Sequence, residues 1–159
     1  MWVKVQLVGL VRLAQFPNSN PEVPAGRSLM EKANIIAAWI AILVGFFAGV
    51  IPGLFFHDEE WLGGYSSWPR RLMRLGHVSF FGIAFVNFAF AFTVGHLNLT
   101  GDLVKSTSIL FIVAQIAMPT ICYGASVKKV LRNLFFIPVL SLIIGALALL
   151  VAIFQGPKI

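Results

Sequence analysis

The chain has 159 residues, of which 58% are hydrophobic and only 11% charged. A water-soluble domain carries about 25% charged residues, and one this small leaves much of its surface to solvent, so a soluble globular fold is excluded on composition. Twelve Lys and Arg against six Asp and Glu give a net charge of +6. The cations flank apolar runs, so lipid headgroups explain them and nucleic acid is not expected as a partner.

Residues 1–33 stand apart. "MWVKVQLVGLVRLAQF" has too few apolar residues before Arg12 to cross a bilayer, and it lacks a signal-peptide cleavage site. Lys4, Arg12 and Gln15 share one side of a helix, which predicts an interfacial segment lying on the membrane or on a partner. "PNSNPEVPAG" then reads as an irregular linker.

A hydrocarbon core needs roughly 20 apolar helical residues to span it. The first such run covers about 34–56. Within it Ala33, Ala37, Ala41, Gly45, Gly49 and Gly53 recur every fourth residue. On a helix this spacing draws a groove of small side chains, which lets another helix approach closely. The visitor is either a second subunit (or a second copy) or a helix of the same chain.

Residues 57–71 connect to a second span over about 72–95. Ser66 or Ser67 can cap the new helix, and Pro69 suits its first turn. Arg70, Arg71 and Arg74 then lie at the membrane boundary, where they can reach phosphates. His57 and His77 fall on adjacent antiparallel helices on one side of the membrane. Two imidazoles so placed can ligate the iron of a b-type haem, with the arginines pairing its propionates and Gly76 and Gly82 making room. The same cluster can hold a quinone, with Phe80 and Phe81 against the ring. The simpler alternative makes His77 an interfacial side chain and "HDEE" (57–60) a solvated acidic loop beside an aromatic belt of Trp61, Tyr65 and Trp68. Consecutive side chains point different ways, so "HDEE" does not converge on a metal ion.

Asn87 is the deepest polar residue of the second span, and Gln115 that of the third, over about 107–126. At matching depth on antiparallel helices they can share an amide–amide hydrogen bond, or line a polar path. The fourth span covers about 133–154. Pro52, Pro119 and Pro138 interrupt three of the spans and bend them. None of the spans has Asp, Glu, Lys or Arg at mid-depth, which argues against a pump, an ion channel or a proton-coupled transporter. His96 has no evident partner, and "NLT" at Asn98 is too common a pattern to use. Cys122 is the single cysteine, so neither an intramolecular disulfide nor a cysteine metal cluster can form.

These observations predict an all-α integral membrane protein: a four-transmembrane-helix up-down-up-down bundle with an N-terminal interfacial segment. A β-barrel is excluded because no ten-residue alternation of polar and apolar residues is present. The connections after the first and third spans hold more cations than the opposite side, so the termini lean to the non-cytoplasmic face; counting Lys4 and Arg12 removes the lean. No nucleophile–base pair, phosphate loop, dinucleotide fingerprint or HExxH is present. The expected role is a non-catalytic accessory subunit of a larger membrane complex, respiratory or photosynthetic, with lipid and other membrane subunits as partners. An electron-transfer subunit binding haem or quinone through His57 and His77 is the alternative. A small-solute transporter is the third.

Overall fold

The computed structural model describes residues 25–156. Within them lie helix α1 (Ala25–Leu54), a 3-10 turn (Trp61–Gly63), α2 (Trp68–His96), α3 (Asp102–Val127), a 3-10 segment (Lys129–Phe135) and α4 (Phe136–Gln155), with no strand among the described residues. Four helical stretches are long and apolar enough to cross a membrane: Leu29–Leu54, Trp68–His96, Asp102–Val127 and Lys129–Gln155. The expected interfacial segment, with Lys4, Arg12 and Gln15, lies outside the described residues.

The helix ends follow backbone chemistry rather than the edges of hydropathy. α1 starts at Ala25, not at Asn34, so residues 25–33 are helix instead of linker. Leu29 to Ala33 are good helix formers, and a helix continues past the point where its side chains turn polar. α2 starts where Ser67 accepts a hydrogen bond from the Arg70 N–H at 3.4 Å, with Pro69 in the first turn. Gly101 precedes α3 with φ 111°, a conformation open to glycine, and Asp102 places its carboxylate at the positive end of the helix. Pro138 falls in the first turn of α4, where a missing N–H breaks no helical bond.

Neighbouring helices pack antiparallel: Asn34 of α1 meets Asn87 of α2 near one end, and Gly49 meets His77 towards the other. α1 packs on α2, α2 on α3, and α3 on α4, with a lesser contact between α1 and α3. Among the described residues, α1 and α4 have no Cα atoms within 8 Å of each other, nor do α2 and α4. The four-helix bundle is thus arranged as a row of successive seams, with α3 in contact with each of the other helices. The two outer helices bury less of themselves than α2 and α3.

Each seam of the row is set by a glycine. A Cβ on Gly45 would stand 2.9 Å from Phe81 Cζ, and one on Gly49 would stand 2.5 Å from His77 Cε1. Between α2 and α3 the tight point is Gly76, under Tyr123 and Cys122; between α3 and α4 it is Gly145, under Phe111. Large side chains drop into these notches, and dispersion contacts follow. The small-residue stripe of α1 is thus filled in its middle by α2 of the same chain. Of its three glycines Gly53 is the open one, with nothing within 4 Å of a would-be Cβ. Beside the notches, Phe90 meets Phe111 edge-on at 5.6 Å, within a cluster that includes Val94, Val104 and Ala152.

This packing distinguishes glycines of one stripe. Gly45→Leu should overpack the α1–α2 seam and cost about 1–3 kcal/mol, whereas Gly53→Leu should leave stability unchanged. Thermal unfolding of the two variants in detergent checks the contrast.

Candidate functional site: a carboxamide clip, a basic loop and a lateral cleft

The deepest polar feature ties three helices together. Asn34 Nδ2 on α1 donates to Asn87 Oδ1 on α2 at 2.7 Å, and Ser108 Oγ on α3 donates to Asn34 Oδ1. Asn87 Nδ2 donates to Gln115 Oε1 on α3 at 3.1 Å and to the Ile83 carbonyl at 3.0 Å. Gln115 Nε2 donates to the Phe80 carbonyl at 3.2 Å. All four side chains are buried. The structure brings Asn87 and Gln115 together, and adds Asn34 and Ser108, which the sequence did not single out. A signal was present: Asn34 begins the buried stripe Asn34, Ala38, Ala41, Gly45 at helical spacing. Every member is neutral, so the cluster neither holds a charge nor passes a proton at ordinary pH. What it does chemically is fix distance and register.

His57 and His77 occupy different settings. His77 lies against Gly49 in the α1–α2 seam, edge-on to Phe81 at 5.3 Å between centroids. His57 is exposed in the turn after α1. Gly76, expected to make room for a macrocycle, is covered by Tyr123 and Cys122. Gly82 does stand open, with nothing within 4 Å. Two buried polar atoms in this lower half, His77 Nδ1 and Tyr123 Oη, have no hydrogen-bond partner.

The arginines have separate jobs. Arg70 is 7% exposed, and its Nη1 donates to the carbonyls of Asp58 at 3.2 Å and Glu59 at 3.1 Å. Its guanidinium also lies 5.7 Å from the rings of Trp61 and Tyr65. Arg74 sits 4.0 Å over Tyr65 and donates to the Tyr65 carbonyl at 3.0 Å. Trp61 stacks on Phe55 at 5.0 Å. Arg70 and Arg74 therefore hold the α1–α2 loop in shape rather than offering their guanidinia to propionates or phosphates. Arg71 is exposed. The acidic residues 58–60 are exposed as well, and Asp58 Oδ1 accepts the Glu60 N–H at 3.0 Å.

Beyond the clip α1 and α3 enclose a lateral cleft of 390 Å³, with Ala37, Ala41, Val44, Ile116 and Pro119 among its walls and Gln115 as its buried polar residue. Pro119 has no N–H to give the Gln115 carbonyl, so the α3 backbone lacks one helical bond beside the cleft. Comparison with protein-family models, curated proteins and solved structures returns no match.

Two measurements probe these assignments. A double-mutant cycle on Asn34→Ala and Asn87→Ala should return a coupling of about 0.6–2 kcal/mol, while Thr120→Ala, which loses only a local bond to the Ile116 carbonyl, should be nearly neutral. Arg70→Gln should open the 58–66 loop to protease several-fold faster, and Arg71→Gln should not.

Proposed function

We propose that the chain is a multi-pass integral membrane protein that acts as a non-catalytic accessory subunit, receiving a transmembrane helix of another subunit or of a second copy at the α1–α3 cleft. The observation that carries this reading is the cleft between α1 and α3. α1 and α3 are joined at the clip and part beyond it. The cleft they leave is mostly apolar, with Ala37 and Ala41 on its α1 wall and Gln115 and Thr120 as its polar residues, which suits a side chain entering from a neighbouring helix.

The distribution of side chains supports the membrane setting. Phe85 is 72% exposed and Phe154 87%, and such residues recur along all four helices. An apolar surface of this extent is unfavourable in water and ordinary in lipid. The amides and hydroxyl of Asn34, Asn87, Ser108 and Gln115 are paired within the chain, as a water-free environment favours. Before Lys4 and Arg12 are counted, the basic residues at the α1–α2 and α3–α4 connections lean that end to the cytoplasm; with them the two sides balance.

Electron transfer has less support, because His77 packs into the α1–α2 seam while His57 is exposed in the turn after α1. Transport has less support as well, because the polar residues at mid-depth are neutral and already engaged with one another.

Extraction from native membranes in a gentle polymer should yield an assembly larger than the 17.4 kDa chain. Ala37→Trp, which fills the cleft, should release the chain from it while leaving its helicity intact. Recovery of the unaltered chain as a lone monomer would overturn the subunit reading.

A further inference from the structure

Six basic residues gather where α2 begins and α3 ends: Arg70, Arg71, Arg74, Lys128, Lys129 and Arg132. Two are committed internally, Arg70 to the loop carbonyls and Arg74 to Tyr65. The other four are exposed. Trp68 Nε1 donates to the Ala125 carbonyl at 3.3 Å, which fastens the first turn of α2 to the last turn of α3. That bond sets Arg71 and the 128–132 run on one shoulder of the molecule.

The shoulder is apolar as well as cationic. Val127 is 79% exposed and Val130 69%, and no residue of the 3-10 segment Lys129–Phe135 is buried. In water, bare valines and crowded cations would both be unfavourable. At the boundary between headgroups and acyl chains both are satisfied, since phosphates meet the cations and glycerol and methylenes meet the valines. Among residues with described side chains, the basic excess lies at this end. Six basic residues face three acidic ones, Asp58, Glu59 and Glu60, which lie in the α1–α2 loop beside Arg70. At the other end, among residues with described side chains, Lys32 and Lys105 are matched by Glu31 and Asp102.

We infer that this shoulder is a binding site for the headgroup of an anionic phospholipid, with Arg71, Lys128, Lys129 and Arg132 as its cationic contacts. The inference rests on the membrane reading above. Arg71 presents a planar fork that matches two phosphate oxygens, while the lysines act as point charges. Trp68 is the positioning residue, because it holds the two helix ends together without itself carrying charge.

The test uses the full chain in nanodiscs of phosphatidylcholine with increasing phosphatidylglycerol, read by native mass spectrometry of the retained lipids. Phosphatidylglycerol should be retained in preference to phosphatidylcholine. Each of Arg71→Gln, Lys128→Gln, Lys129→Gln and Arg132→Gln should lower that retention about fivefold. Lys32→Gln with Lys105→Gln, at the opposite end, should leave it unchanged. Raising the salt should weaken it, and inorganic phosphate at equal ionic strength should displace no more lipid than chloride does. Equal retention of the two lipids overturns the inference, as does full retention by the four shoulder variants, or displacement by free phosphate alone. A chain that does not enter nanodiscs at all overturns the membrane reading instead, which keeps the two failures distinct.

Discussion

The hydrogen-bonded contact of Asn34, Asn87, Ser108 and Gln115 is the constraint from which the rest of the arrangement follows. In lipid, apolar surface gains little by turning inward, because hydrocarbon is equally available outside. Helices are then held by close packing and by polar groups that have no water to turn to. Four neutral side chains from three helices meet here, and each is buried. Removing one leaves its partners unpaired in a medium that cannot compensate them. The glycine notches act with the clip: they let the backbones come close enough for short side chains such as Ser108 to reach across.

The same economy explains the basic loop. A guanidinium is charged at every ordinary pH, so hiding Arg70 demands acceptors with fixed positions. Two main-chain carbonyls and two aromatic rings provide them. Because Arg70 is held by backbone, the carboxylates at 58–60 need not be drawn in, and they remain exposed. The loop between α1 and α2 is therefore a built structure, and it separates the charge consumed inside the molecule from the charge presented to its surroundings.

Much of the architecture was legible in the residues, for a physical reason. Helix type and number follow from the length of apolar runs, and the Ser67 cap and Pro69 follow from local backbone chemistry. What could not be read was which helices would touch. Ala41, Gly45 and Gly49 form a stripe that any helix could enter, and only the fold decides that Phe81 and His77 of α2 do so. Asn87 and Gln115 were visible as deep polar residues. Asn34 sat at the edge of its apolar run and looked like a boundary residue; because α1 begins at Ala25, it lies inside the helix instead. The surroundings of the two histidines were not legible either: only the fold packs His77 against Gly49 while leaving His57 exposed in the turn.

The shape of the clip also dictates an order of events during synthesis. When α1 and α2 have emerged as a hairpin, Asn34 can already bond to Asn87, but the oxygen that Ser108 will serve and the amide that Gln115 will receive are still waiting. The hairpin is therefore an unfinished object until α3 arrives. α4 contributes nothing to the clip and packs mainly on α3, with Ala152 joining the Phe90 and Val94 cluster, so the last segment is added to a clip that is already complete.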